Sequence, residues 1–256
     1  MNKLIAIDLD GTLLRNDKTV SEHTLQTLIE CEEKDNIIIY ATARPPRDIV
    51  RYIPSILMNK PIICYNGACI TKMGKIIYGK EILRENVIKI LDIAKKLNQQ
   101  QICIEINDEL YSNFDVSEYF GNVPYKQVDL YNLNFKSSYK IIICSKNKIS
   151  NEILDSLPKE CKGVITDKGT LCQIMSSEVS KWNAIKHLLE VNNISEANVI
   201  SFGNDYNDID MIKNSGVGVA MENAIDELKL VSKHITCSNN DDGVAKFLGN
   251  NKHLYC

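Results

Sequence analysis

Two carboxyl groups near the start of the chain are the first candidates for chemistry. Asp8 and Asp10 lie two residues apart in the segment Asp8-Leu9-Asp10-Gly11-Thr12, directly after the apolar run Leu4-Ile5-Ala6-Ile7. At ~4 Å and an effective dielectric of ~20, two such carboxylates repel each other by roughly 4 kcal/mol. A bound proton or a divalent cation removes this cost, and both suit phosphoryl chemistry. The alternative is an Asx turn with both side chains in water.

A second acidic cluster, Gly203-Asn204-Asp205-Tyr206-Asn207-Asp208-Ile209-Asp210, follows the apolar run 198–202. Its oxygens could serve a hard cation. The alternative is a helix cap, since Asn and Asp cap helices well and acids suit the positive end of the helix dipole. Two acidic segments at the carboxyl ends of parallel strands can converge on one site, and this favours a functional role.

Two further positions carry groups that bind anions. Thr42 and Arg44, in Ala41-Thr42-Ala43-Arg44, combine a hydroxyl and a guanidinium at a predicted helix entry, where backbone N–H groups point the same way. Lys181 begins a predicted helix, a position that the helix dipole disfavours for a cation. The alternatives are an ordinary threonine cap and a solvated surface lysine.

The first eighty residues alternate short apolar runs with amphipathic segments, which predicts strands at 4–7, 37–41 and 61–65 and helices beginning at Ser21 and at Pro45-Pro46. This order predicts an α/β fold with a doubly wound, Rossmann-like parallel sheet. In such sheets ligands bind beyond the carboxyl ends of the strands, where the candidate residues lie.

The pattern changes after Asn66-Gly67. Hairpins, a helix at 85–97 and a helix near 149–157 form a β-rich α+β stretch, and the first pattern resumes at Lys181 with helices to 191, at 208–213 and at 224–231 and strands at 198–202 and 217–220. The sequence therefore predicts a core made of residues 1–81 and 179–256, interrupted by an α+β domain at 82–178.

Composition excludes several classes of function. The 256 residues carry 30 Lys+Arg against 33 Asp+Glu, for a net charge of −3, without a basic block. We therefore expect neither nucleic acid nor a membrane as partner. The chain lacks an apolar run long enough to span a bilayer, its start does not fit a secretory leader, and its nine cysteines are scattered. These features predict a cytoplasmic protein with reduced thiols, and they leave the oligomeric state open.

Taken in order, these segments resemble the motifs of the haloacid-dehalogenase-like hydrolase superfamily, and specifically its Cof-type phosphatases, whose cap domain is inserted between the second and third motifs. Asp8 to Thr12 match the first motif, Thr42 the second, Lys181 the third, and Gly203 to Asp208 the fourth. Asn66-Gly67-Ala68 and 220–224 are similar to further family features. The resemblance covers essentially the whole chain and implies a Mg²⁺-dependent phosphatase acting on a small phosphorylated metabolite, such as a sugar or cofactor phosphate.

The resemblance also implies roles for individual residues. Asp8 would be the nucleophile that forms an aspartyl-phosphate, and Asp10 the general acid and base. Thr42 and Lys181 would hold the phosphoryl oxygens. The remaining expected phosphate or substrate contacts are Leu9, Gly11, Thr12, Ala43, Arg44, Asn66, Gly67 and Asn207.

The expected Mg²⁺ ligands are Asp8, Asp10 through its carbonyl, and the fourth motif, with Asn204, Asp205 and Asp208 as candidates. The usual family pattern has Asp where this chain has Asn204, and Asp205 follows one place later. Either Asn204 binds through its amide oxygen or Asp205 replaces it. The cap would select the leaving group, with Glu105, Asn107, Tyr111, Tyr119 and Tyr125 as candidates.

Three alternatives remain at this point. A sugar phosphomutase could use the same two aspartates. A dehalogenase is disfavoured because it gives Asp10 no evident role. A non-catalytic phosphate-binding or signalling protein, such as a receiver domain, would also combine acids, a threonine and a lysine, but the inserted domain argues against it.

Overall fold

A computed structural model describes residues 2–255. The chain divides into two compact units. The first comprises the residues up to Tyr78 and those from Ser180 onward, and the second comprises Gly79–Val179. All the catalytic, binding and metal candidates of the four motifs belong to the first unit.

Short, mostly buried strands make up much of both units. In chain order they are β1 (Leu4–Asp8), β2 (Ile37–Ala41), β3 (Ile62–Cys64), β4 (Cys69–Lys72), β5 (Lys75–Gly79), β6 (Ile82–Leu83), β7 (Gln101–Ile106), β8 (Glu109–Ser112), β9 (Lys126–Gln127), β10 (Ser137–Ser138), β11 (Lys140–Cys144), β12 (Cys161–Thr166), β13 (Leu171–Ser176), β14 (Val199–Gly203), β15 (Val217–Ala220) and β16 (His234–Ile235).

Helices separate the strands. They are α1 (Glu22–Glu32), α2 (Pro46–Ile49), α3 (Arg84–Lys96), α4 (Ser117–Phe120), α5 (Glu152–Asp155), α6 (Lys181–Asn192), α7 (Ile209–Asn214), α8 (Asp226–Val231) and α9 (Gly243–Asn250). Serine hydroxyls cap two of the longer ones: Ser21 accepts from Thr24 N at the start of α1, and Ser180 accepts from Asn183 N at the start of α6.

The sheet of the first unit has the order β16-β15-β14-β1-β2-β3-β4-β5. The pairs from β16 to β3 are parallel, and β4 pairs antiparallel with β3. All five residues of β1, at the centre, are buried, as expected for a parallel strand covered on both faces. The prediction of an α/β fold with a doubly wound parallel sheet is confirmed.

The second unit contains a six-stranded sheet in the order β12-β13-β11-β7-β8-β9, with every pair antiparallel except β8 with β9, and a two-stranded pairing of β10 with β6. Helix α3 packs its apolar face, including Val87, Ile90 and Leu91, into the core cluster of this unit. The cluster also contains Ile104 and Ile141 of the central strands. These features define an α+β unit.

Local patterns misplaced some helix boundaries. The helix predicted near 149–157 is reduced to α5, because Ile149 N donates to the carbonyl of Gly169 and Pro158 follows. The helix predicted after Pro45 spans only Pro46–Ile49. Helix α9 was not predicted. None of the eight cysteines within residues 2–255 forms a disulfide.

Candidate active site

The carboxyl ends of three adjacent strands bring the predicted motifs together. Asp8, the last residue of β1, is paired in register with Ala41, and Thr42 follows Ala41 directly. On the other side, Ile7 is paired with Phe202, which precedes Gly203 and the fourth motif. Sheet register therefore places the first, second and fourth motifs side by side.

A buried cluster of one cation and two carboxylates forms the centre of the site. Lys181 Nζ lies 2.6 Å from Asp8 Oδ1 and 2.6 Å from Asp208 Oδ1. The side chains of Lys181 and Asp208 are fully buried, and that of Asp8 is 7% exposed. The alternative interpretation of Lys181 as a solvated surface lysine is wrong. Its place at the start of α6, unfavourable for the dipole, is compensated by these two ion pairs.

The environment shifts the pKa values of this cluster strongly. Burial, reinforced by the negative charge of Asp208, raises the pKa of Asp8 to about 7, although Lys181 acts against both effects. Burial works to lower the pKa of Lys181, but the carboxylates of Asp208 and Asp8 outweigh it and raise that pKa. Lys181 therefore stays charged, and between Lys181 and Asp8 it is Asp8 whose pKa lies near neutrality.

Asp10 sits in a more open ionic environment than Asp8. Arg44 donates to both oxygens, from Nε at 2.6 Å and from a terminal nitrogen at 2.7 Å, and Lys18 Nζ lies 2.8 Å from Oδ1. Burial works to raise the pKa of Asp10, but the hydrogen bonds of Arg44 and Lys18 outweigh it and lower the pKa. The guanidinium of Arg44 also stacks 4.1 Å above the ring of Tyr52.

The loop after Asp10 packs against Asn204. The inward-facing terminal atom of the Asn204 amide lies 3.0 Å from Thr12 Oγ1, 3.1 Å from Asp8 Oδ2 and 2.8 Å from the carbonyl oxygen of Asp10. The last two atoms are acceptors, so the amide nitrogen fits this position. Gly11 has φ +77°, and a Cβ there would lie 2.6 Å from the amide of Asn204. Glycine therefore makes room for this contact.

Asp205 and Asp208, the two acids of the fourth motif, bind backbone N–H groups and Lys181 rather than the loop after Asp10. Asp208 Oδ2 accepts from the backbone N–H groups of Asn204, at 2.9 Å, and Asp205, at 3.1 Å, while its other oxygen binds Lys181. Asp205 is exposed and accepts from Tyr206 N at 2.8 Å in a capping box with Asp208. Both side chains thus shape the loop.

Asn66 joins the second motif to the fourth. Its backbone N–H donates to the carbonyl of Thr42 at 2.9 Å, and its Oδ1 accepts from Asn207 Nδ2 at 2.8 Å. Thr42 is buried, and its hydroxyl accepts from Arg44 N at 3.2 Å. Gly67, with φ +107°, packs so closely that a Cβ would lie 2.1 Å from the carbonyl oxygen of Ser180, next to Lys181.

The structure therefore brings every motif residue into one neighbourhood of the first unit, but with different exposures. Leu9 and Thr12 are buried, Ala43 is half-buried, and Asp205 is exposed. Sequence reasoning missed Lys18, for which the sequence carries no local pattern. It also gave no role to Asn223, in the 220–224 segment, which donates to the carbonyl of Gly11 at 2.8 Å.

A magnesium site fits this neighbourhood by the chemistry of its donors. Mg²⁺ prefers oxygen ligands and keeps several waters. Asp8 Oδ2 and the carbonyl oxygen of Asp10 lie 3.1 Å and 2.8 Å from the inward-facing end of the Asn204 amide, so these three groups could supply oxygen ligands to one cation. Within residues 2–255, groups of three or more His, Cys, Asp or Glu that could hold a metal are absent. A site at this place would use the Asp10 carbonyl and the Asn204 amide beside the Asp8 carboxylate.

Known proteins resemble this chain over nearly its whole length. Residues 5–248 match the haloacid dehalogenase-like hydrolase family. The Bacillus subtilis protein named 5-amino-6-(5-phospho-D-ribitylamino)uracil phosphatase YitU is 28% identical over 266 residues, covering 96% of each chain. YcsE of the same organism, named for the same activity, is 29% identical over 246 residues, covering 95% of this chain and 93% of the relative.

A solved structure of a similar protein has the same fold. The haloacid dehalogenase-like hydrolase from Bacteroides thetaiotaomicron superposes with a TM-score of 0.84 at 25% identity, over 98% of this chain and 99% of that one. Helices able to cross a bilayer are not found in the described part of the chain. The relatives confirm the predicted enzyme class, a phosphatase, and the match of nearly the whole sequence decides the family: this chain belongs to the haloacid dehalogenase-like hydrolases.

Proposed function

We propose that this protein hydrolyses a small phosphorylated metabolite with Mg²⁺, through an aspartyl-phosphate on Asp8. The observation that carries this proposal is the buried contact of Lys181 with Asp8 and Asp208, at 2.6 Å each, directly beyond the end of β1. Lys181 fixes the orientation of the Asp8 carboxylate at the end of β1, so that this group is positioned for attack on phosphorus. Such preorganisation is the main source of catalysis in phosphoryl transfer.

In the first step an oxygen of Asp8 forms a bond to phosphorus, the ester P–O bond breaks, and the leaving oxygen takes a proton. In the second step a water oxygen bonds to the same phosphorus and gives up a proton, the bond between phosphorus and the Asp8 oxygen breaks, and phosphate and the free Asp8 carboxylate are released. Lys181, the hydroxyl of Thr42 and loop N–H groups would hold the phosphoryl oxygens. Mg²⁺ bound by Asp8, the Asp10 carbonyl and the fourth motif would neutralise charge on the phosphoryl group.

Asp10 would move the protons in both steps. Its ion pairs with Arg44 and Lys18 keep it as a carboxylate in the substrate-free protein, which suits the role of base toward water. To protonate the leaving oxygen it must first take up a proton, and this requires those pairs to open. Arg44 would then be available to the phosphoryl group.

Asp208 acts in this scheme through Lys181 and the loop backbone, since both its oxygens are engaged there. The same holds for the link between Asn66 and Asn207, which would keep the second and fourth motifs in register. We assign these three residues positioning roles.

The second unit would select the leaving group. Within it, a cavity of 560 Å³ is lined by polar side chains, including Asn107, Tyr111, Asn134 and Lys136. Of the five residues predicted to select the substrate, Asn107 and Tyr111 line this cavity, Tyr119 and Tyr125 pack on a separate apolar cluster, and Glu105 is buried in β7. A polyol or sugar leaving group matches such a lining.

We also propose that the protein acts in the cytoplasm.

The first test is hydrolysis of para-nitrophenyl phosphate by the purified protein with and without Mg²⁺. Asp8→Asn should abolish release of phosphate, because an amide is not a nucleophile. Lys162→Ala, which changes an exposed lysine of β12, is the matched control and should keep full activity. Full activity of Asp8→Asn would refute the proposed role of Asp8.

A covalent intermediate can be tested with an added alcohol that competes with water. If all substrates pass through one aspartyl-phosphate, the ratio of alkyl phosphate to free phosphate is the same for every leaving group. A panel of sugar phosphates, cofactor phosphates and 5-amino-6-(5-phospho-D-ribitylamino)uracil, the compound in the names of the relatives, would then identify the substrate. Isomerised sugar phosphate without free phosphate would indicate a mutase.

A further inference from the structure

Lys18 is a cation beside Asp10, the proposed proton carrier. Its Nζ lies 2.8 Å from Asp10 Oδ1, and its side chain is 46% exposed. Arg44, the other cation on Asp10, is only 20% exposed and would serve the phosphoryl group in the proposed mechanism. Lys18 has no part in that mechanism beyond its ion pair. It is therefore a positive charge of the site that another part of the substrate could reach.

A tight turn fixes the backbone of Lys18. Lys18 N donates to the carbonyl oxygen of Arg15 at 2.9 Å, and Arg15 N donates to that of Thr19 at 2.9 Å. Lys18 has φ +68°, a left-handed conformation that costs a non-glycine residue free energy. The neighbouring Asp17 accepts from the N–H and the hydroxyl of Thr19, at 3.0 and 2.6 Å, so its carboxylate is engaged within the turn. Within residues 2–255, Asp10 is the carboxylate paired with Lys18.

The leaving oxygen of a substrate must come close to Lys18. An acid that protonates this oxygen lies about 2.6–3.2 Å from it. Since Lys18 Nζ is 2.8 Å from Asp10 Oδ1, a leaving oxygen that contacts the same Oδ1 lies at most about 6 Å from Nζ. A substituent two or three bonds along the alcohol, at about 1.5 Å per bond, covers this gap to within a hydrogen-bond distance. The first carbons of the leaving group therefore lie within reach of the lysine.

We propose that Lys18 binds a carboxylate carried by the leaving alcohol, two or three bonds from the ester oxygen. The substrate class is then the phosphate esters of sugar acids and related hydroxy acids rather than those of neutral sugars. The proposal rests on the proposed function, because it places the alcohol by its contact with Asp10. Lys18 thereby becomes a specificity residue that lies outside the four motifs.

The charges around Asp10 favour an anionic group at this place. Arg44 and Lys18 together carry one more positive charge than Asp10 neutralises. The proposed mechanism requires their ion pairs with Asp10 to open, and Lys18 then needs another counter-charge. A carboxylate on the alcohol can supply it through a charge-assisted hydrogen bond to the ammonium group. A neutral hydroxyl would leave the charge of Lys18 to water, so the site discriminates between the two alcohols.

Two substrates that differ in one group test the inference: 3-phosphoglycerate carries a carboxylate where glycerol 3-phosphate carries a hydroxymethyl group. In the unaltered protein kcat/KM should be at least about tenfold higher for 3-phosphoglycerate, the effect of one hydrogen bond to a charged group. Lys18→Met should reduce this ratio at least about fivefold, whereas Lys18→Arg, which keeps the charge, should keep most of it. The ratio cancels any effect of Lys18 on Asp10 that both substrates share.

Lys75→Met is the matched control, because it removes an exposed lysine on the edge strand β5 of the same unit. It should leave the ratio within about twofold, the scatter expected for an exposed charge. A ratio near one in the unaltered protein, or an unchanged ratio in Lys18→Met, would overturn the inference. An equal reduction in Lys75→Met would overturn it as well, because the preference would then follow the net charge of the protein.

Binding without turnover separates this inference from the proposed function. Calorimetric titration of Asp8→Asn with the two compounds in Mg²⁺ should show the same preference for 3-phosphoglycerate, and adding Lys18→Met to this variant should remove it. Such lysine-dependent binding, in a protein that hydrolyses no phosphate ester, would refute the phosphatase and support the role of Lys18. Hydrolysis of para-nitrophenyl phosphate through Asp8, with neither turnover nor binding of 3-phosphoglycerate, would support the phosphatase and overturn the role of Lys18.

Discussion

Asp8 and Asp10 are two residues apart in the chain, yet they lie in opposite electrostatic environments. Asp8 shares the fully buried Lys181 with a second carboxylate, Asp208, whereas the side chain of Asp10 is 38% exposed and holds two cations, Arg44 and Lys18. Burial and the negative charge of Asp208, only partly offset by the single positive charge of Lys181, raise the pKa of Asp8 to about 7. Two cations for one carboxylate lower the pKa of Asp10.

This difference teaches how one loop separates two chemical roles. Environments that push the pKa values of neighbouring acids apart commonly distinguish acid, base and nucleophile. The nucleophile candidate, Asp8, is held rigidly in the interior, where a bound cation would also neutralise its negative charge. The proposed proton carrier, Asp10, is more exposed and is paired with the long, flexible side chains of Arg44 and Lys18. The ion pairs of the two aspartates should therefore differ in what they contribute to stability.

The largest effect is expected from removing the buried cation. Lys181→Met leaves Asp8 and Asp208 facing each other without a counter-charge in a site closed to water. Breaking a buried ion pair in this way costs roughly 3–5 kcal/mol of the free energy of unfolding. Phosphatase activity should fall by at least about 10²-fold, since a group that stabilises the transferring phosphoryl charge is lost.

Urea unfolding at neutral pH measures the stability effect, and Lys18→Met is the matched control on the exposed partner of Asp10. The control should lose no more than about 1 kcal/mol, because exposed ion pairs contribute little. Equal losses in the two variants would contradict the contrast between the buried and the open cluster.

A somewhat smaller effect is expected where the backbone positions Lys181. A Cβ at Gly67 would lie 2.1 Å from the carbonyl oxygen of Ser180, and φ at Gly67 is +107°. Gly67→Ala should therefore push the start of α6 away and cost roughly 3 kcal/mol, from crowding and backbone strain together. Because Lys181 moves with α6, kcat should fall as well.

Gly74→Ala is the control for backbone strain alone. Gly74 also has positive φ, at +73°, but a Cβ there would meet no atom within 4 Å. We expect a loss of about 1 kcal/mol, without a change in kcat. Thermal or urea unfolding together with steady-state kinetics distinguishes the two variants. If Gly67→Ala kept wild-type kcat, the close packing against Ser180 would not be what positions Lys181.

The same contrast explains which parts of the site the sequence could predict. The buried runs before Asp8, Thr42 and Gly203 predicted parallel strands, and parallel strands bring their carboxyl ends to one edge. The local sequence pattern was therefore enough to predict that these motifs lie together. Helix α9, which packs against α1, was not predicted: Asp242 before it is a residue type that commonly caps helices, but it has φ +56° and makes no side-chain capping bond.

Pairings between side chains were beyond local pattern. That Lys181 is buried between Asp8 and Asp208 depends on residues 173 and 27 positions away. The contact of Lys18 with Asp10 requires a backbone turn in which Lys18 has φ +68°. Residue type indicated which groups could ionise, but only the tertiary structure determines which charges they face and how far water screens them.

The most direct test of the contrast is the pH dependence of stability in EDTA, which needs no variant that disturbs the buried cluster. The pKa of Asp8 is about 7 in the folded protein and about 3.9 in an unfolded chain. Between about pH 4 and pH 7 the folded state thus holds a proton that the unfolded chain has released. The free energy of unfolding should fall as the pH rises through this range, by at most about 1.4 kcal/mol per pH unit.

Asp10 should act with the opposite sign in a different range. Its folded pKa is lowered, so below about pH 4 the unfolded chain takes up a proton that the folded protein does not bind, and stability falls as the pH falls. Asp8→Asn should remove the decline between pH 4 and 7 and leave the acid limb, whereas Asp10→Asn should weaken the acid limb and leave the decline. Urea unfolding across pH 2.5–8 measures both slopes, with the range chosen to bracket these pKa values. If Asp8→Asn kept the decline, the raised pKa of Asp8 would not be its cause, and the two aspartates of the loop would not differ in the way proposed.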